Sequence, residues 1–222
     1  MGTTIVFAGG PVTGATTLPS WIGPFDLVVA ADSGLERAIA LEVPVDVVVG
    51  DLDSVDPEVL RAAEAGGVRV ERHPVDKDAT DLELALEVAC TAGTDRLVVV
   101  GSAGGRLDHL LASLNVLAHD RLAGIEVDAS FDGTHVVMVR ERRRELPAAI
   151  GDLISLLPIG GAACGVHTEG LRWELSGEVL EAHTARGVSN EVVSVPTSVL
   201  VDGGCVAAVL PPNDSVAQEG AR

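Results

Sequence analysis

Along the first 140 residues, apolar positions alternate between two spacings. Short apolar-rich runs at residues 4–8, 27–31, 45–49, 68–72 and 97–100 lack helical periodicity, as expected of strands buried inside a parallel sheet. Between them, residues 35–41, 57–65 and 82–92 read as helices, as does a segment carrying Leu110, Leu111, Leu114 and Leu117. In residues 82–92 the apolar side chains at 82, 85, 86 and 89 form a core-facing stripe. Strands at 127–130 and 135–139 complete this half. Strand–helix alternation of this kind predicts a parallel α/β sheet. Further on the period shortens to two, with glycines between short runs at 153–157, 165–168, 171–175, 192–195, 199–202 and 206–210. That pattern predicts an all-β unit, a small sandwich. The domains read as 1–140 and 141–212, with a polar tail at 213–222 that frays. The charged stretch Arg140-Glu141-Arg142-Arg143-Arg144-Glu145 between the halves reads as a solvated connector or an edge strand.

Ligands of parallel α/β sheets bind at the carboxyl ends of the strands. Here four consecutive strands end in acidic loops, bearing Asp32, then Asp51 and Asp53, then Asp76, Asp78 and Asp81, then Asp108. The sheet brings all four to one edge. The central stretch is Gly50-Asp51-Leu52-Asp53-Ser54, where two carboxylates at i and i+2 repel one another unless a cation compensates. Mg²⁺ suits such a pair, since it takes one or two carboxylates and leaves positions for phosphate oxygens. The same residues also fit a solvated turn in which Asp53-Ser54 cap the helix starting near Pro57. The loop Gly9-Gly10-Pro11-Val12-Thr13-Gly14 is either a plain turn or a cradle of backbone N–H groups for phosphate.

Composition narrows the partners. A net charge of −18 argues against nucleic acid or an anionic membrane. No apolar stretch is long enough to span a bilayer, and the start lacks an export signal, so a cytoplasmic protein is expected. Cys90, Cys164 and Cys205 have no paired spacing and read as reduced core residues. The histidines are scattered without zinc-ligand spacing. Lys77 is the one lysine, and it sits inside an acidic motif.

Clustered aspartates with Lys77, Arg106 and glycine-rich loops suit a metal-bound polyphosphate. Arg106 offers a planar fork to phosphate oxygens, and Gly104 and Gly105 let the backbone approach the ligand. Phosphoryl or pyrophosphoryl transfer needs chiefly positioning and charge neutralisation. Metal-dependent hydrolysis would use the same residues.

The ordered set Ala31-Asp32-Ser33-Gly34, Gly50-Asp51-Leu52-Asp53-Ser54, Asp76-Lys77-Asp78-Ala79-Thr80-Asp81, Gly104-Gly105-Arg106-Leu107-Asp108-His109 and Asn115 resembles the thiamine pyrophosphokinase family. So do Thr168-Glu169-Gly170-Leu171-Arg172-Trp173 and Gly187-Val188-Ser189-Asn190 in the β half. The likeness runs over about residues 4–210. It implies a Rossmann-like α/β nucleotide-binding domain followed by a β-sandwich, and a homodimer with active sites at the subunit interface. The implied reaction moves the β,γ-pyrophosphoryl group of ATP to thiamine, giving thiamine diphosphate and AMP. By the same resemblance, Asp51, Asp53 and Asp81 hold Mg²⁺, and Lys77 and Asp78 line the phosphates. Asp32, Ser33, Gly34, Arg106, Asp108 and His109 meet ATP, with Ser33 standing where glycine is common in the family. Thr168, Trp173, Ser189 and Asn190 form the thiamine wall, supplied by the partner subunit, where an indole face suits a cationic thiazolium. The general base is either Asp78 or absent, with metal activation in its place. Two other readings are a pyrophosphokinase for a different hydroxyalkyl heterocycle, such as a pterin, and a non-catalytic nucleotide-sensing module.

Overall fold

The computed structural model describes residues 2–11 and 17–212. The last part of the 9–14 glycine-rich loop and the tail beyond residue 212 lie outside the described residues. The chain divides into two compact units. One takes in the chain through Val116 together with Asp120–Asp132, and the other Leu117–His119 with the chain from Gly133 onward.

In the first unit, strands β1 (Gly2–Phe7), β2 (Leu27–Ala31), β3 (Val47–Gly50), β4 (Arg69–Arg72), β5 (Thr94–Gly101) and β6 (Glu126–Phe131) alternate with helices. These are α1 (Gly34–Ala40), α2 (Pro57–Ala65), α3 (Asp81–Thr91) and α4 (Leu107–Leu117). The strand order is β6-β5-β1-β2-β3-β4, and every pairing is parallel. The valine-rich runs form strands here because both sheet faces are covered: Ile5, Val6, Phe7, Val48, Val49, Val98 and Val99 are all fully buried. After β4 the chain crosses back over β1 to lay down β5, so strand order reverses between β1 and β5. Such a switch point opens a crevice at the carboxyl ends of the two strands.

The predicted stripe on α3 is the buried one, with Leu82, Ala85, Leu86 and Ala89 inside, and a Thr80–Glu83 capping box starts the helix. On α4 only Leu117 is buried, and Leu107 and Leu111 are exposed. Helix α2 is capped by Asp56, whose Oδ1 accepts from the Glu58 and Val59 amides at 2.7 and 3.4 Å. The reading in which Asp53-Ser54 cap this helix is therefore wrong, because Asp56 satisfies the orphan amides and leaves both residues for other work.

The second unit holds β7 (Thr134–Val139), β8 (Arg143–Leu146), β9 (Leu153–Pro158), β10 (Ala163–Glu169), β11 (Ser176–Leu180), β12 (Asn190–Glu191), β13 (Thr197–Leu200) and β14 (Val206–Leu210). Two antiparallel layers, β12-β9-β14-β7 and β11-β10-β13-β8, close on a core that includes Ile154, Leu156, Val166, Leu171, Val199 and Val206. Residues 135–139 thus belong with the sandwich, where β7 pairs along its length with β14. The arginine-rich stretch contains an edge strand, β8, which pairs with β13.

Residues 171–175 alternate like a strand but are not one; the strand lies just after them, at β11. The Asn190 side chain replaces the missing strand partner. Its Oδ1 accepts from the Trp173 amide at 3.1 Å and its Nδ2 donates to the Trp173 carbonyl at 2.8 Å. Leu171 and Leu175 point into the core while Trp173 is left 61% exposed.

Gly34 shows how tightly the first unit is built. A Cβ there would lie 2.0 Å from the Phe7 carbonyl oxygen, so α1 reaches β1 only because this residue has no side chain. Gly34→Ala is expected to cost about 3 kcal/mol through overpacking, read as a lowered urea midpoint. An unchanged midpoint would show that α1 relaxes freely.

Candidate active site

Strand β3 ends in Gly50, whose φ of 149° brings the backbone against two carboxylates. A Cβ there would lie 2.8 Å from Asp81 Oδ1 and 3.3 Å from Asp32 Cβ. Leu52 next adopts a left-handed φ of 62° and drops into a core with Ala30, Leu35, Val48 and Val55. Its two aspartate neighbours remain at the sheet edge. Asp32, at the end of β2, is also left-handed, with φ 49°, and its amide donates to the Val49 carbonyl at 2.9 Å.

One carboxylate oxygen from each of Asp32, Asp51 and Asp53 lies within 4.8 Å of the others. Asp32 is only 9% exposed. Its Oδ2 accepts from the Ser54 hydroxyl, and its Oδ1 is buried with no hydrogen-bond partner. Burying a carboxylate oxygen without a partner is costly, and a cation is the group that would satisfy it here. The residues therefore fit Mg²⁺: hard oxygen donors, crowded to metal-binding distance, one of them otherwise unsatisfied.

Lys77 supplies the balancing charge within the protein. Its Nζ lies 2.8 Å from Asp51 Oδ2 and 2.9 Å from Asp81 Oδ1, and Asp81 Oδ1 also accepts from the Asp51 amide at 3.3 Å. Burial works against the ammonium, but its hydrogen bonds to Asp51 and Asp81 outweigh it and raise the Lys77 pKa. The same Lys77 hydrogen bond holds the Asp51 carboxyl below its usual range. Asp53 goes the other way: the charge of Asp51, then burial and the charge of Asp32, push its pKa up. Asp53 is thus the carboxylate whose charge is least compensated. The carboxylate trio contains Asp32 with Asp51 and Asp53, whereas Asp81 stands beside it as the partner of Lys77.

Asp32, Ser54, Thr80 and Asp81 form one side of a cavity of about 530 Å³, a size suited to a small ligand. The opposite side comes from the loops that follow β1 and β5, including Gly9, Gly10, Ser102, Gly104 and Gly105. This is the crevice at the switch point. Ser33 reaches the first loop, its hydroxyl accepting from the Gly10 amide at 3.4 Å. Arg106 and His109 also line the cavity. Arg106 is turned onto Asp108 in a two-pronged pair, at 3.1 and 2.6 Å. That pairing draws the exposed Asp108 carboxyl down to about 2 and raises the Arg106 pKa. Asp78 is exposed and stands outside the carboxylate trio.

The sandwich has a second cavity, of about 420 Å³, lined in part by Trp173, Arg186, Val188 and Asn190. The Arg172 guanidinium sits 5.9 Å from the Trp173 ring centroid, a cation already on the indole. Ser189 is exposed and left-handed, φ 57°. Thr168 is buried, and its hydroxyl accepts from the Leu175 amide at 2.8 Å. Thr168 and Asn190 thus spend their polar groups shaping the segment that presents Trp173.

Sequence reasoning passed over two charged residues that touch the cavity's loops, Arg37 and Asp132. The signal for Arg37 was available: an arginine on the apolar side of α1, between Leu35 and Ala38, occupies a core position. Asp132 gave none, since it reads as an ordinary turn residue before Gly133.

Two family models match the chain: thiamin pyrophosphokinase, catalytic domain, on residues 20–127, and thiamin pyrophosphokinase, vitamin B1 binding domain, on residues 134–206. Among curated relatives, thiamine pyrophosphokinase of Bacillus subtilis (strain 168) is 29% identical over 139 residues, covering 62% of this chain and 64% of that protein. Thiamine pyrophosphokinase 1 of Arabidopsis thaliana is 31% identical over 141 residues, 59% of this chain and 52% of that one. The chain thus spans less than two thirds of the length of these relatives. The fold matches the thiamine pyrophosphokinase structure from Bacillus subtilis with a TM-score of 0.79, at 22% identity over 95% of this chain and 99% of that one. It matches thiamin pyrophosphokinase from Candida albicans with a TM-score of 0.74, at 14% identity over 94% and 88%. With both family models placed in order on the two units, the chain belongs to the thiamine pyrophosphokinase family.

Proposed function

We propose that this chain transfers the pyrophosphoryl group of ATP to thiamine, giving thiamine diphosphate and AMP. The observation that carries the reading is the carboxylate trio, whose Asp32, with its unsatisfied oxygen, lines the switch-point cavity. Family membership and the names of the relatives supply the acceptor. Among the described residues nothing favours a pterin acceptor or a purely sensing role.

In this reading ATP lies in the crevice with its polyphosphate toward the loops after β1 and β5. The oxygen of the thiamine hydroxyl forms a bond to the β-phosphorus, and the bond from that phosphorus to the α,β-bridging oxygen breaks. AMP leaves with the bridging oxygen, and the hydroxyl proton passes to Asp78 or to water. Asp32, Asp51 and Asp53 would hold Mg²⁺, which supplies charge neutralisation for the polyphosphate when bound. Asp81 and Lys77 keep Asp51 in place and ionised. Arg106 exchanges its Asp108 partner for a phosphate oxygen, which its fork suits equally well. Trp173 gives thiamine an indole face, with Arg172 moving aside for the thiazolium.

We assign the wall that carries Trp173 to the partner subunit of a homodimer. The exposed apolar residues Leu107, Leu111, Trp173 and Val188 are consistent with further burial on assembly. The reading places the enzyme in the cytoplasm, in keeping with three free cysteines. Among the described residues no helix is long and apolar enough to cross a membrane.

Product analysis tests the reaction directly. Incubation with ATP, Mg²⁺ and thiamine is expected to release AMP only when thiamine is present, with thiamine diphosphate found by mass. ADP as the nucleotide product would overturn the proposal. Asp53→Asn should lower kcat/KM by at least ~100-fold, the scale of losing a charge-stabilising group at a reacting phosphate. The same change removes repulsion from Asp51 and Asp32, so the melting temperature without Mg²⁺ should rise. Full activity in that variant would remove Asp53 from the site. Trp173→Ala should raise the KM for thiamine by about tenfold, as for a lost cation–π wall, with the ATP KM little changed. Equal effects on both would place Trp173 elsewhere.

A further inference from the structure

At the switch point, the described residues of the loops after β1 and β5 are each held by one charged side chain. Arg37, in α1, is only 4% exposed and spends its guanidinium on the loop after β1. Its Nε donates to the Ala8 carbonyl at 3.2 Å, and one terminal nitrogen donates to the carbonyls of Gly10 and Pro11 at 3.2 and 2.7 Å. Asp132, left-handed at the end of β6, does the same for the loop after β5. Its Oδ2 accepts from the Ser102 hydroxyl at 2.9 Å and from the Ala103 and Gly104 amides at 2.8 and 3.2 Å.

The loops also meet each other. A Cβ on Gly105 would lie 3.2 Å from Pro11 ring carbons, and one on Gly10 would lie 3.9 Å from Ser102 Cβ. Burial pulls the Arg37 pKa down, and the charge of Asp132 offsets only part of that shift. Neither side chain is among the residues lining the cavity. Arginine, with several donors in a rigid fork, suits a set of converging carbonyls in a way that lysine does not. A carboxylate oxygen with several lone-pair sites suits converging amides.

We propose that Arg37 and Asp132 are paired positioning residues of the nucleotide site, which hold residues 8–11 and 102–104 in the arrangement that receives the polyphosphate. The inference rests on reading the crevice as the ATP site. A loop already ordered by the protein does not lose that freedom when ligand binds, so preorganisation appears as nucleotide affinity. The anchors lie behind the loops, and their loss is felt in ATP binding ahead of thiamine binding.

The test compares wild type with Arg37→Met, Arg37→Lys, Asp132→Ala and Asp132→Asn. Each is assayed for the KM of both substrates, for calorimetric binding of α,β-methylene ATP with Mg²⁺, and for amide hydrogen exchange. Arg37→Met and Asp132→Ala should raise the KM for ATP and the Kd for the analogue about tenfold, a typical size for a coupling between neighbouring groups. The thiamine KM at saturating ATP should stay unchanged. Asp132→Asn keeps an oxygen acceptor and should recover most of the affinity, whereas Arg37→Lys should recover little. Exchange at Ala103 and Gly104 should speed up in Asp132→Ala. Folded variants with wild-type ATP affinity, or with equal rises in both KM values, would overturn the proposal. Wild type that takes up no analogue would overturn the reading of the crevice and the inference with it. If Arg37→Met fails to fold, Asp132→Ala against Asp132→Asn decides the matter.

Discussion

The arrangement turns on a repulsion that the fold creates and only partly relieves. Parallel strands β2 and β3 end side by side, and each delivers aspartate to the same edge. Lys77 answers Asp51 and Asp81; Asp53 and the buried oxygen of Asp32 are left without an equivalent. Like charges at this spacing weaken the folded state unless something binds them. A protein that carries such a cost at the edge of a ligand-sized cavity keeps a binding site at the expense of stability. The unusual backbone there belongs to the same picture, with left-handed Asp32 and Leu52 and an extended positive φ at Gly50.

Strand order explains why the site lies where it does. With β1 flanked by β2 and β5, the strand order reverses between them and a crevice opens at their carboxyl ends. Asp32, Ser54, Thr80 and Asp81 line it, together with residues of the two anchored loops. Topology thus gathers the acid groups that suit a cation beside the glycine-rich loops. In the sandwich, buried Thr168 and Asn190 hold a short irregular segment so that the Trp173 ring stays exposed.

Much of this was legible in the chain. Continuous valine runs gave the central strands, because residues covered on both sheet faces have no polar alternation to confuse the reading. The stripe at residues 82, 85, 86 and 89 was recovered because α3 packs one face on the sheet. The acidic strand ends were legible as one site because parallel strands carry their carboxyl ends to one edge. Three things were not. Asp56 stands three residues after Asp53, and both fit a helix cap; only the hydrogen bonds tell them apart. Residues 171–175 alternate as a strand does, but a side-chain amide, unseen by any periodicity, takes the backbone partners. The spatial grouping also escaped, since no spacing shows that Asp32 joins Asp51 and Asp53 while Asp81 pairs with Lys77.

The central claim is that these carboxylates are a cation site that works together with nucleotide. Calorimetric titration of Mg²⁺ into the protein, with and without saturating α,β-methylene ATP, tests it most directly. The account predicts saturable Mg²⁺ binding that nucleotide tightens, and nucleotide binding that Mg²⁺ tightens by the same factor, as linkage requires. Both should weaken as the pH falls and Asp53, already raised by its neighbours, takes up a proton. Nucleotide affinity indifferent to Mg²⁺ would contradict the account.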